Sequence, residues 1–149
     1  HLDRRVQDYE ETLWMLKEMG HRLAPHIIIG HHFGEIRGEW RALEMVTRVA
    51  VETIVLVVLK DLQPCGENHL KVPKPEEISR ISAIARILNP CIPIRMACIR
   101  PAHPSKAAME RGTIDSGINT IAYPLQGTID YAKEIGLDTK FIEMCCSLI

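Results

Sequence analysis

Apolar residues recur at spacings of three and four through Val6, Tyr9, Leu13 and Leu16, the period that gives a helix one buried stripe. Asp3 is placed to cap that helix and Gly20 to end it. Residues 23–29 then form an apolar run that leads into GHHFGE at 30–35, as a buried strand delivering a glycine turn and a carboxylate would. The helical period returns over 38–50, with Trp40, Leu43, Val46 or Thr47, and Ala50 on one face, and Glu35 and Glu39 near the positive end. Residues 53–59 are almost continuously apolar and largely β-branched, which predicts a parallel strand covered on both faces.

The stretch 60–74 is the longest connection, and long ordered loops are often functional. Pro75 opens a third helix with Glu76 and Glu77 in its first turn and Ile78, Ile81, Ala85 and Leu88 as its inner stripe. Asn89 and Pro90 stop it. A strand over 92–99, a helix over 105–116 ending at Gly117, the segment NTIAYP, a helix over 126–135 closed by Gly136, and a final strand in TKFIEMCC complete the pattern. About five strands alternate with five helices, so an α/β fold with parallel connectivity is expected in a single domain over 1–149.

Length sharpens that expectation. The 149 residues, 46% of them hydrophobic, can bury a core, yet a closed eight-stranded α/β barrel takes about 250 residues. The pattern therefore predicts a partial TIM-type barrel of about five βα units. A net charge of −1 with dispersed basic residues argues against nucleic acid and anionic membrane as partners. No apolar stretch approaches the roughly 20 residues of a membrane span and no secretory signal is visible, so a cytoplasmic location is expected. A start at His1 rather than a methionine suggests a fragment or a processed product.

Five cysteines, at 65, 91, 98, 145 and 146, show no CxxC spacing, which disfavours a disulfide framework. His26, His31 and His32 invite a zinc reading but bring no second ligand cluster, so no metal site is assigned. Arg95 and Arg100 are five residues apart, and alternation puts them on opposite faces of a regular strand. Arg95 lies within the strand, where a buried guanidinium needs an anionic partner. Arg100, beside Pro101, belongs to the strand's C-terminal mouth, where barrel sites are built. A structural ion pair is the alternative for both.

The blocks TLWMLKEMG, IIIGHHFGE, EEISRISAIARILNP, IPIRMACIRP and SGINTIAYP occur in that order. With them the chain resembles the C-terminal half of radical S-adenosylmethionine enzymes of the biotin synthase group, which includes hydrogenase-maturation and lipoyl-synthase-like members. The resemblance implies that Ile28 and Gly30 line the adenine of S-adenosylmethionine, with Val58 and Glu35 as further cofactor contacts, and that Arg95 and Arg100 bind substrate. It implies hydrogen abstraction by a 5'-deoxyadenosyl radical from a small-molecule or carrier-bound substrate, with or without sulfur insertion; catalytic residues remain unknown. Such enzymes hold a 4Fe-4S cluster on a CxxxCxxC motif that this chain lacks. The cluster is therefore expected on a missing N-terminal barrel half or a second subunit. Two further departures are Ala24, where biotin synthase has a cysteine for an auxiliary cluster, and Tyr9, where the family carries an arginine. The alternatives are a noncatalytic barrel subunit or ligand-binding partner, and a metal-dependent barrel enzyme using the histidines.

Anaerobic reconstitution of the isolated chain with iron and sulfide should yield no reducible 4Fe-4S signal in electron paramagnetic resonance that changes on addition of S-adenosylmethionine. A responsive signal would locate a cluster site within these residues.

Overall fold

Helices and strands alternate through the computed structural model, which describes residues 5–60, 71–101 and 105–145; Asp3, Cys65 and Cys146 lie outside the described residues. In chain order the elements are α1 (Val6–Glu18), β1 (His26–Ile29), α2 (Glu39–Val49), β2 (Ile54–Val58), α3 (Pro75–Leu88), β3 (Ile94–Met96), α4 (Lys106–Asp115), β4 (Thr120–Ile121) and α5 (Gln126–Glu134). The strands form one parallel sheet in the order β1-β2-β3-β4.

Residues in register across a parallel sheet share a face. Ile27, Leu56, Met96 and Ile121 form one row, Ile29 and Val58 a second, and Ile54 and Ile94 a third. All of them belong to, or pack against, the main apolar cluster, to which the helices contribute Leu13, Leu43, Val46, Val49, Ile78, Ile81, Ala85 and Met109. Neighbouring helices touch in sequence order, α1 on α2 through to α4 on α5. Helices α1 to α4 thus form one layer over one face of the sheet, and α5 packs on α4. The opposite face carries a separate cluster of Val55, Val57 and Ala97 with Ala122, which draws on no helix residue.

Local chemistry sets the helix ends. Asp8 turns back to accept the Arg5 N–H at 2.9 Å, and behind Pro75 the Glu77 carboxylate accepts the Lys74 N–H at 2.9 Å. Ile78, Ile81 and Ala85 are buried as the period of α3 predicts. Helix α2 buries Leu43 and Val46 as expected but leaves Trp40 and Ala50 exposed. Trp40 donates from its indole to Glu44 at 2.9 Å, while Glu39 is buried in its place. The turn before α2 requires that carboxylate, as described below.

The expected fifth strand does not form among the described residues: 137–145 carry no regular element, and Phe141, Ile142 and Met144 are exposed. Strand propensity is realised only against a neighbouring strand and a packed face, and β4, with two residues, offers a very short edge. The strand expected over 92–99 is likewise reduced to Ile94–Met96. Pro93 precedes it without an N–H to donate, and after Ala97, whose N–H still reaches the Leu56 carbonyl at 2.8 Å, Cys98 and Ile99 are exposed. Among the described residues no helix is long and apolar enough to cross a membrane.

The first βα unit is tied to the second by Glu52, just ahead of β2. Its carboxylate accepts the Leu23 N–H at 2.6 Å and pairs with Lys17 of α1. The backbone N–H first, and Lys17 second, hold its carboxyl below the ordinary glutamate value of 4.5. A folded carboxyl with a lowered pKa binds protons less readily than the unfolded one, so its stabilisation is present above the unfolded value and is lost as pH falls through the folded one. Glu52→Gln should cost about 1 kcal/mol near neutral pH, and the difference from the unsubstituted protein should shrink in acid. Urea unfolding at the two pH values measures both; a pH-independent difference would remove the charge from the account.

Candidate functional site

The turns at the C-terminal ends of the strands form one rim of the sheet, and the turn after β1 is its most constrained part. Gly30 and Gly34 have φ of +81° and +88°, a region that favours glycine. Both are also closed over by residues 71–73. A Cβ on Gly30 would lie 2.3 Å from Cγ of Pro73, and one on Gly34 would lie 1.8 Å from the Lys71 carbonyl oxygen. Lys71 further donates its N–H to the Phe33 carbonyl at 3.3 Å. The turn is held from below by Glu39, only 4% exposed. Its Oε1 accepts the Gly30 N–H at 2.7 Å and its Oε2 accepts those of Arg37 and Gly38 at 2.8 and 2.9 Å. A carboxylate at a helix N-terminus with three backbone donors is well satisfied without a cation.

On the face away from the helices, His26, Val55, Arg95 and Thr120 form one row across all four strands, and Ile28 and Val57 form the next. The floor is apolar, its edge at β1 is exposed, and the half-buried Arg95 brings the charge. Ile28 is 39% exposed. Arg95 lies two strands away from β1, roughly 10 Å at the usual strand spacing.

The other sequence-predicted residues are placed differently. Val58 shares its row with Ile29 and packs in the helix-side core, so on β2 it is Val57 that turns to the candidate face. Gly30 is buried under Pro73, so its missing side chain serves that contact rather than leaving an open cradle. Glu35 is exposed and accepts Nε and Nη2 of Arg37 at 3.0 and 2.8 Å. His31 and His32 are both exposed, with His32 edge-on to Phe33 at 5.1 Å. Among the described residues no group of three His, Cys, Asp or Glu side chains is arranged to hold a metal. Cys91, Cys98 and Cys145 are exposed.

Arg100 is consumed by the rim itself. Its Nη2 pairs with Glu110 at 3.1 Å, both side chains being 2% exposed or less. Nη1 donates to the Ala97 carbonyl at 2.7 Å, and Nη2 also reaches the carbonyls of Ala122 and Tyr123. Glu110 in turn accepts the Leu125 N–H at 2.9 Å and the Thr128 hydroxyl at 2.6 Å. One buried pair therefore joins the ends of β3 and β4 to α4 and the start of α5. Sequence reasoning did not single out Glu110 or the role of Glu39. The available signals were a glutamate four residues after Lys106 on a weakly amphipathic helix, and a glutamate directly after a glycine turn.

A groove of about 790 Å³ runs along the outer edge of β1, lined by Val6 and Tyr9 of α1, His26 and Ile28, and Met45 of α2. The N–H groups of Val55 and Leu59 donate to Pro25 and Ile29 across the sheet. Alternation then turns the main-chain groups of His26 and Ile28 toward the groove.

Arg100→Met should leave the buried Glu110 with only Lys106, 3.6 Å away, as its cation and cost about 3 kcal/mol. Pairing it with Glu110→Leu should recover part of that loss. Chemical denaturation of the single and double variants decides the matter, and a single variant of unchanged stability would contradict the clasp.

No family model matches the chain, and no curated protein matches it.

Proposed function

We propose that the chain is part of a radical S-adenosylmethionine α/β barrel, with its helix-free sheet face as the inner wall. The observation that carries this reading is the combination of sequence-ordered parallel strands with helices α1 to α4 packed on one side. A barrel wall has that construction, whereas an open doubly wound sheet reverses strand order and is covered on both faces. Fold alone does not assign chemistry, so the activity rests on the block resemblance and on what the inner face offers.

Ile28, with Val57 beside it, fits the apolar wall that a planar adenine needs. Arg95 provides the positive charge for an anionic group on a small-molecule or carrier-bound substrate, and Thr120 adds a hydroxyl in the same row. The cysteines do not fit a 4Fe-4S site: none of the five has the required spacing, and no step through a cluster is assigned to this chain. The open edge of β1, with its apolar groove, supports pairing with a further parallel strand from the other part of the barrel, in the same polypeptide or a second one. Lack of the cluster motif favours a second reading, a barrel subunit that binds ligand without performing the radical step.

In the reconstituted assembly, Ile28→Asp should weaken S-adenosylmethionine binding by about tenfold in equilibrium dialysis. Arg95→Met should leave that affinity nearly unchanged and abolish turnover. Retained cofactor affinity in Ile28→Asp would remove the adenine assignment, and full activity of Arg95→Met would remove the substrate assignment. Cofactor binding without product from the complete assembly would select the second reading.

A further inference from the structure

On the outer side of the rim, between the β1–α2 turn and the first turns of α3, lies a cavity of about 610 Å³. Four cations line it, Arg37, Lys71, Lys74 and Arg80, against two carboxylates, Glu35 and Glu77. Both carboxylates are already engaged. Glu35 accepts two donors from Arg37, and Glu77 accepts the Lys74 backbone N–H. Elsewhere the cations Arg5, Lys17, Arg48, Arg100 and Lys106 each have a carboxylate partner. Lys71, Lys74 and Arg80 form no ion pair among the described residues, yet they surround a single concavity.

The arrangement is built rather than incidental, because Lys71 cannot move away without undoing the packing of residues 71–73 on the turn. Its carbonyl occupies the space where a side chain on Gly34 would be, and Pro73 does the same at Gly30. Four cations against two carboxylates leave this concavity with an excess of positive charge, which raises the local potential and attracts a multiply charged anion. A guanidinium and two ammonium groups match the several oxygens of a phosphate. The volume lies within the roughly 300–1,000 Å³ range of small-molecule sites and exceeds what a bare phosphate needs, while Ile36, Val72 and Ile81 supply apolar wall for a carbon body.

We infer that this cavity binds the phosphate group of a small phosphorylated organic molecule. The inference is independent of the barrel reading, since it uses neither Ile28 nor Arg95 and its test requires no turnover.

Calorimetric titration of the intact protein with inorganic phosphate and with phenyl phosphate, at low and constant ionic strength, tests it. Phenyl phosphate should bind more tightly than phosphate. Lys74→Ala and Arg80→Ala should each reduce affinity by about three- to tenfold, and the double variant should show no measurable binding with an unchanged thermal midpoint. Arg41→Ala, an exposed cation of α2 outside this cavity, should bind like the unsubstituted protein. The site would be overturned by undetectable phenyl phosphate binding, by undiminished binding in the double variant, or by an equal loss in Arg41→Ala, which would indicate diffuse charge attraction only.

Discussion

Parallel strands cannot be joined by a tight turn, so each successive pair in this sheet needs a crossover, and a helix supplies it. Crossovers of one hand, added in sequence order, put every crossover helix on the same side. The rest of the molecule follows from that constraint. One face of the sheet is dry, with Ile29, Ile54, Leu56, Val58, Ile94 and Met96 packed beneath α1 to α4. Among the described residues the other carries the small group around Val55, Val57 and Ala97 with Ala122, to which no helix residue contributes. Val55 and Val57 are buried even on this face, because β2 is interior to the sheet, whereas His26 and Ile28 on the edge strand are exposed.

Three carboxylates hold the ends of these units. Glu39 gathers the backbone donors of the turn after β1, Glu52 links α1 to the start of β2, and Glu110 with Arg100 closes the ends of β3 and β4 against α4 and α5. Each accepts at least one backbone N–H, which gives that main-chain donor a partner. The most buried of them, Glu110, is also the one with a guanidinium partner, in keeping with the cost of an uncompensated interior charge. These contacts tie together the backbone between Arg95 on one side and Lys71, Lys74 and Arg80 on the other.

The two proposed ligand regions differ physically. The inner face is an apolar floor with a single half-buried guanidinium, suited to a planar aromatic group and one negative charge. The outer cavity is flanked by several exposed cations and is suited to a phosphate that remains partly hydrated. The turn that follows Ile28 contributes Glu35 and Arg37, an ion pair, to the outer cavity.

Hydrophobic period and turn residues along the chain were sufficient for the alternation of helices and strands, for the inner stripe of α3, and for a β2 buried on both faces. These are local patterns, read from spacing within one element. They were sufficient also to put Arg95 and Arg100 in different environments, because alternation along a strand is a local property. What only the tertiary structure decided depends on contacts between elements. Val58 turned to the core because register with Ile29 set its row, and Trp40 turned outward because the glycine turn claimed Glu39 for its donors. TKFIEMCC remained without a strand partner among the described residues because a two-residue β4 offers little edge. Arg100 became a clasp rather than a mouth residue because Glu110, ten positions away on a different element, came within hydrogen-bonding distance. Side-chain period reports which way a residue can face, but pairing of buried charges and closure over glycine are set by elements distant in sequence, and no single segment encodes them.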